Sequence, residues 1–370
     1  MPAQTQATLR VVTVYGDPRQ RGQAQGEALR AVIGDGLGRW LATIGQTHGV
    51  DPDDYLIEFL DTTHYLTAMQ RWAPAALEEI RGIAEGANQP IRRVLAYNLM
   101  DEEWYFGEER RQRQSLEGRT SLPHQCTVVC LRLPGSGVPV IAQTMDIPSV
   151  HDGTQVVLHH LPDDGPEMLI FSAAGMLGLM GVNAAGIGVV VNNLAMLPHS
   201  DRGLPVACVI RGILSCTTLA GAASFVTRVP HAVGQHYAIG SPEGLASFEG
   251  AANGVVRDDR VVDRVLHTNH PLVHREVVGD PEPAYVASRT RERLACVQAA
   301  ADAIVDVAGI ERVLADTSAP VSREPEGGFM TFGAMIAELS VPPRARFAPG
   351  PPHLVPFVSH QLSGVSRQES

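Results

Sequence analysis

Gln125-Cys126-Thr127-Val128-Val129-Cys130-Leu131-Arg132-Leu133 is the stretch on which the reading of this chain turns. Upstream of it, apolar residues recur at helical spacing. From Cys126 onward they come in short alternating or continuous runs bounded by Gly, Pro or Asp, which is the pattern of strands. The residues just before it, 101–125, are polar. Glu108-Glu109-Arg110-Arg111-Gln112-Arg113-Gln114 and the Ser, Gly, Thr and Pro that follow predict an exposed surface loop.

Working back from that loop, the sequence predicts a strand over 8–15, then a helix opened by Asp17-Pro18, with proline in its first turn. One long amphipathic run reaches about residue 47. Others cover 51–70 and Pro74–Ala87, and a shorter one begins at Ile91. Working forward, strands are expected over 126–133, 138–145, 155–161, 168–174 and 187–194, and a helical pair over 205–228. Further strands follow over 236–240, 245–250 and 261–268, helices over 287–303 and from about 308, and a last strand over 330–339. The tail, 359–370, reads as disordered. Grouped strands flanked by helical blocks predict layers of antiparallel sheet covered by helices.

The totals bound the function. With 370 residues, 44% hydrophobic and 19% charged, the chain has the make-up of a soluble globular protein with a large core. Its net charge of −11 repels phosphate backbones, so nucleic acid is not an expected partner. No run approaches the roughly 18 apolar residues a membrane span needs, and residues 1–21 hold no apolar stretch of signal-peptide length. Five cysteines, Cys126, Cys130, Cys208, Cys216 and Cys296, are an odd number in a large chain and suit free thiols in a reducing, cytoplasmic setting.

Four constellations could carry chemistry, each with an ordinary alternative. Cys126-Thr127 opens a strand directly after the polar loop. Were the Gln125–Cys126 bond cut, the new α-amine, of reference pKa about 7.7–8.0, would sit on the same residue as the thiol and could take its proton. The ordinary alternative is a small buried hydrophobe. Asp146 ends the next strand across a predicted hairpin through Pro134-Gly135-Ser136-Gly137, so its carboxylate can return to the start of the Cys126 strand; otherwise it is a turn residue. In His267-Thr268-Asn269-His270, the Asn269 amide could donate to an oxyanion, or simply sit at a turn. Ser288-Arg289-Thr290-Arg291-Glu292-Arg293 offers guanidinium groups for a carboxylate or an acyl oxygen, or a solvated face of Arg/Glu pairs, which suits Glu292 and Arg293 better than a site does.

In this order the segments resemble the acyl-coenzyme A:6-aminopenicillanic acid acyltransferase family, also known as the isopenicillin-N acyltransferase-like proteins, within the N-terminal-nucleophile hydrolases. The likeness runs through Gly16-Asp17-Pro18 with Gly22 and Gly26, residues 79–87 (Glu-Ile-Arg-Gly-Ile-Ala-Glu-Gly-Ala), Cys126-Thr127 and Asp146. It continues in residues 181–186 (Gly-Val-Asn-Ala-Ala-Gly) with Asn192-Asn193-Leu194, then in Thr268-Asn269-His270, Ser288-Arg289 and Gly350-Pro351-Pro352. The resemblance implies an α+β fold: a four-layer αββα sandwich with a helical N-terminal proregion. It implies a precursor cut before Cys126 into residues 1–125 and 126–370, which stay associated as a heterodimer; higher assembly is left open.

On the same resemblance Cys126 is the nucleophile and, through its amine, the base, while Asp146 positions that amine. Asn269 is the oxyanion donor, Arg289 and Ser288 shape the site or steer substrate, and Asn192 or Asn193 is a second site asparagine. Thr127 and His270 are supporting residues. The implied activity is hydrolysis or exchange of small N-acyl amides through a thioester. No resident cofactor or metal is called for. A coenzyme A thioester is admitted as acyl donor, although no segment reads as a coenzyme A pocket. The family commonly has Gly before the nucleophile where this chain has Gln125, which puts the rate of self-cleavage in question. The competing readings are a metallohydrolase built on His267, His270 and His274 with Asp263, and a binding protein of the same fold that has lost turnover.

Overall fold

The computed structural model describes residues 9–113 and 125–362. Strand β1 (Arg10–Gly16) enters helix α1 (Pro18–Ala28) through a reciprocal cap: Asp17 accepts from the Gln20 amide, and the Gln20 side chain accepts from the Asp17 amide. The single run expected to residue 47 is two helices, because Leu29 leaves helical geometry between α1 and α2 (Arg30–His48). The run over 51–70 likewise divides, into α3 (Pro52–Thr62) and α4 (Tyr65–Trp72), and α5 (Pro74–Ala87) and α6 (Ile91–Tyr97) follow.

Helix α7 (Met100–Arg113) corrects the expected loop. Asp101, Glu102 and Glu103 fill its first turn and Arg110, Arg111 and Arg113 its last, each sign opposing the helix dipole, and Tyr105 and Phe106 are buried. The rest of that loop, 114–124, lies outside the described residues.

The two glycine-spaced signatures have one physical cause. Helices α1 and α5 cross so closely that a Cβ on Gly22 would lie 2.0 Å from the Glu79 carbonyl oxygen. One on Gly82 would lie 2.1 Å from that of Arg19.

Next come β2 (Gln125–Arg132), β3 (Pro139–Pro148), β4 (Gln155–Pro162), β5 (Met168–Ala173), β6 (Met180–Asn183) and β7 (Gly188–Asn193), then helices α8 (Val206–Leu214) and α9 (Leu219–Arg228). Strands β8 (Gln235–Ser241), β9 (Gly244–Ala251), β10 (Gly254–Arg257) and β11 (Arg264–His267) precede helices α10 (Glu282–Ala287), α11 (Thr290–Ala301) and α12 (Val307–Leu314). Strands β12 (Phe329–Glu338), β13 (Arg344–Ala348) and β14 (Val358–Gln361) finish the described chain. The short strands β6, β10, β13 and β14 were not expected. β14 corrects the tail, since 359–361 are paired with β13; residues 363–370 lie outside the described residues.

The strands form two sheets, one of eight in the order β1-β4-β5-β6-β7-β8-β9-β10 and one of six in the order β11-β2-β3-β12-β13-β14. All pairings are antiparallel except β1 with β4, so the chain before Cys126 supplies the edge strand of the larger sheet. Alternation along β2 explains the layering. Cys126, Val128 and Cys130 pack into the core shared with the larger sheet. Val129 and Leu131 face the opposite way, against Leu294 and Val297 of α11 and Ile310 and Leu314 of α12. Helices α8 and α9 pack on the larger sheet. This is a four-layer αββα sandwich of the α+β class. Among the described residues no helix is long and apolar enough to cross a membrane.

Candidate active site

The hairpin of β2 and β3 places Gln125 opposite Asp146 and Cys126 opposite Met145. Cys126 is held on both sides by side chains. Its backbone N–H donates to Asn269 Oδ1 at 2.7 Å, and its carbonyl accepts from Arg293 Nη1 at 2.6 Å. The same guanidinium donates to Thr127 Oγ1 at 3.1 Å and to Asn269 Oδ1 at 2.9 Å, while its Nε donates to the Ser288 carbonyl at 3.2 Å. Asp146, on the helix-facing side of β3, accepts from Thr331 Oγ1 of the neighbouring strand at 2.6 Å.

Two sequence expectations, for Arg289 and Gln125, need correction, and that for Asn269 gains its partners. Asn269 lies against Cys126: its Nδ2 spends one of its two N–H groups on the Asn193 carbonyl at 3.0 Å, and its Oδ1 accepts from Cys126 and Arg293. Arg289 is not in the site. It adopts a left-handed backbone (φ 50°) ahead of α11, and its side chain turns outward to Glu292 and, at 3.3 Å, to the Ser318 carbonyl. The arginine that reaches Cys126 is Arg293, one turn further along. The signal was present in the helix period: Thr290, Arg293, Leu294, Val297 and Ala301 share the buried face of α11. Gln125 is not part of a loose linker. It lies in β2, buried, and its side-chain oxygen accepts from Arg323.

The remaining residues divide. Asn193 lines the cleft beside Cys126 and donates to Asp101 Oδ1 at 2.9 Å, whereas Asn192 points to His236 Nδ1 at 2.8 Å. Ser288 supports Arg293 through its carbonyl. His270 pairs with Thr290 Oγ1 at 2.9 Å, and that hydroxyl also accepts the Asn269 amide, so His270 braces the loop without lining the cleft. The three histidines of the metal reading do not converge: His267 bonds Glu249, His270 bonds Thr290 and His274 accepts from the Glu276 amide. Among the described residues no group of three or more His, Cys, Asp or Glu side chains is arranged to hold a metal. The sequence reading also missed Gln143, whose side chain bridges the sheets by bonding both the N–H and the carbonyl of Val191 in β7.

Burial, then the charge of Asp146, push the Cys126 thiol up to about 12, with Arg293 acting in the other direction. In the uncut chain the sulfur is therefore a thiol. Burial brings Arg293 itself down to about 10. The cleft in front of Cys126 is narrow and lies between the two sides of the expected cut. Asn98, Met100, Asp101 and Glu102 come from one side, and Met145, Ile147, Met176 and Leu179 from the other.

A family model described as acyl-coenzyme A:6-aminopenicillanic acid acyl-transferase matches residues 133–337, which contain Asp146, Asn193, Asn269 and Arg293 and begin just after Cys126. The 40 kDa form of the acyl-coenzyme A:6-aminopenicillanic-acid-acyltransferase of Emericella nidulans is 25% identical over 269 residues, covering 71% of this chain and 70% of its own. Two solved structures are also similar. The Caenorhabditis elegans N-acylethanolamine-hydrolyzing acid amidase ortholog has 15% identity and a TM-score of 0.43, covering 59% of this chain and 94% of that one. Penicillin V acylase from Agrobacterium tumefaciens has 15% identity and a TM-score of 0.36, covering 60% and 83%.

Proposed function

This chain belongs to the acyl-coenzyme A:6-aminopenicillanic acid acyl-transferase family, and from that premise we propose that it cuts its own Gln125–Cys126 bond and then processes small N-acyl amides through a thioester on Cys126. The observation that carries this reading is the grip on Cys126: a side-chain oxygen on its nitrogen at 2.7 Å and a guanidinium on its carbonyl at 2.6 Å. A nitrogen that becomes an amine keeps Asn269 as its acceptor after the peptide bond is gone.

In the self-cleavage, Cys126 Sγ attacks the Gln125 carbonyl carbon. The C–N bond breaks as the nitrogen takes a proton, and water then releases the Gln125 carboxylate from the thioester. The freed α-amine, with a reference pKa near 7.7–8.0, sits beside a thiol that burial keeps protonated, and it serves as the base the thiol needs. In turnover the amine takes the thiol proton, Sγ adds to the substrate carbonyl, and the leaving amine departs with that proton. Water or a second amine then resolves the thioester, giving hydrolysis or transfer. Asp146 and Arg293 act as positioning residues. Asn269 and Asn193 each spend one of their two amide N–H groups, on the Asn193 carbonyl and on Asp101, and the second N–H of either is the candidate oxyanion donor. The two pieces stay associated, and hydrolysis of small amides is the favoured outcome.

Intact-mass analysis with N-terminal sequencing tests the reading. Wild type is expected to give pieces of about one third and two thirds of 39.6 kDa, the larger starting Cys-Thr-Val. Cys126→Ala should give one mass and no amidase activity on a panel of N-acyl substrates. A single mass for both, with activity surviving the substitution, would overturn it.

A further inference from the structure

Glu249 of β9 is buried, and no step of the chemistry above uses it. Four donors meet its carboxylate. Oε1 accepts from His267 Nε2 at 2.9 Å and from the Leu272 amide at 2.5 Å; Oε2 accepts from the amides of Val273 at 3.1 Å and His274 at 2.6 Å. Three successive backbone N–H groups on one carboxylate form a nest that favours negative charge. Burial would raise the Glu249 carboxyl, but the hydrogen bond and charge of His267, with the amides of Leu272 and His274, hold it below its ordinary value of 4.5. The group is therefore an anion at neutral pH.

What these donors enclose is Asn269. A single oxygen, Oε1, is bonded to His267 and to Leu272, on either side of Asn269 in the chain. The imidazole in that grip is itself fixed: His236 stacks on it with ring centroids 3.7 Å apart, and is held by Asn192 at 2.8 Å and Ser247 at 3.0 Å. From the helical side, Thr290 Oγ1 accepts the Asn269 amide at 2.8 Å and the Thr290 carbonyl accepts from Thr268 Oγ1 at 2.9 Å. Glu249 belongs to the larger sheet, and β11, which leads into the loop, to the smaller one. The carboxylate therefore ties the Asn269 loop across the core that holds Cys126.

We propose that Glu249 is a positioning residue for the nucleophile: by pinning the loop over 267–274 to the larger sheet, it keeps Asn269 Oδ1 on the Cys126 nitrogen, in the peptide before the cut and in the amine after it. The 2.7 Å contact between that oxygen and the nitrogen leaves little slack for the loop to move. An ionised carboxylate can accept from four donors at once. A glutamine there offers one oxygen and turns an NH2 group towards N–H groups, so the loop has to shift. The inference rests on the reading of Cys126 as nucleophile and adds a residue of the larger sheet to what holds it.

The test uses the full chain and two readouts that need no substrate. One is the rate of cutting at Gln125–Cys126, followed by intact mass. The other is the pH dependence of Cys126 alkylation by iodoacetamide in the cut protein, followed on the peptide that starts Cys-Thr-Val. An acceptor bonds an ammonium more strongly than an amine, so displacing Asn269 Oδ1 lowers the pH at which the amine loses its proton. Glu249→Gln should slow cutting by about 10²-fold and move the acid limb of alkylation down by about one pH unit. Asp146 and Arg293, the charges acting on Cys126, are the same in that variant. Glu249→Asp keeps the anion on a shorter arm and should show both effects at smaller size, about tenfold and about half a pH unit. It carries the test alone if Glu249→Gln does not fold. Glu79→Gln removes a buried carboxylate bonded to Arg211 and not to this loop, and should leave the limb in place, so that lost stability by itself does not move it. Folded Glu249 variants that cut at the wild-type rate, or that cut slowly with an unmoved limb, overturn the inference and leave the self-cleavage reading standing, as does failure of both variants to fold. A single uncut mass for the wild type removes that reading and the inference together.

Discussion

Two arginines are buried in this protein in opposite ways. Arg211 of α8 meets a carboxylate directly: its two terminal nitrogens donate to Glu79 at 2.6 and 2.9 Å, with Arg21 at 3.4 Å from the same carboxylate and His160 against the guanidinium. Arg293 of α11 donates to neutral oxygens, the carbonyls of Cys126 and Ser288, Asn269 Oδ1 and Thr127 Oγ1, while Asp146 acts on it through charge. In the first nest a charge is matched by a charge, and the nest spans the proposed cut, since Arg21 and Glu79 precede Cys126 while His160 and Arg211 follow it. In the second nest the positive field is directed at the backbone of the nucleophile. The contrast separates a clamp between the two pieces from a device that positions a reacting residue.

The largest expected effect lies at the clamp. Glu79→Gln leaves two guanidinium groups buried without their carboxylate, and breaking a buried pair in this way costs about 3–5 kcal/mol. The midpoint of urea unfolding should fall accordingly, while kcat/KM per folded molecule stays at the wild-type value. A normal midpoint with lost activity would place Glu79 in the chemistry and erase the contrast.

Arg293→Gln should do the reverse. Without the fork, the Cys126 carbonyl and Asn269 lose their shared donor, and a nucleophile displaced by about 1 Å reacts about 10²-fold more slowly. Pulse-chase mass analysis should show uncut chain accumulating at about that ratio, and turnover of the cut fraction should drop by a similar factor. Arg293→Lys keeps the charge without the fork and should restore only part of the rate. If folded Arg293→Gln protein processes at the wild-type rate, Arg293 is a clamp like Arg211.

Acid sharpens the comparison further. Burial would raise the Glu79 carboxyl, but Arg211, His160 and Arg21 together pull it down to about 2, while burial and then Arg211 bring His160 down to about 3. Both groups bind protons more readily when unfolded. The stability they confer is therefore full above the ordinary histidine value of 6.5, declines first as unfolded His160 gains its proton, and falls again from 4.5 towards 2 through Glu79. Unfolding midpoints measured from pH 7 to pH 2.5 should show that decline, with the limb below 4.5 flattened in Glu79→Gln. An unchanged limb would remove the ion cluster from the account of how the pieces hold together.

What the sequence disclosed follows from period and position. The five strands from Cys126 to Leu194 were legible because apolar runs between Gly and Pro leave little else to form, and the hairpin that brings Asp146 back to Cys126 followed from its turn residues. Strands β6, β10, β13 and β14 were not legible, because four or five residues do not establish a period. The charge run from Glu108 to Arg113 was misread because composition was weighed without sign order: acids at one end and bases at the other are what a helix wants. Asn269 was placed in the site, but which end of its amide served Cys126 depended on Asn193 and Arg293, partners 76 and 24 residues away that no local pattern names.

The smallest expected effect decides between neighbours. Arg289 and Arg293 are one turn apart in a stretch rich in Arg and Glu, and a resemblance to Ser288-Arg289 favoured the former. Arg289 caps the helix in left-handed geometry with its guanidinium in solvent beside Glu292, where an ion pair is worth about 0–1 kcal/mol. Arg289→Ala should therefore leave the processing rate and kcat/KM within about twofold of wild type and the unfolding free energy within about 0.5 kcal/mol. A rate loss approaching that of Arg293→Gln would mean that the outward arginine swings in when substrate arrives, and the division between the two buried nests would have to admit a third, mobile charge.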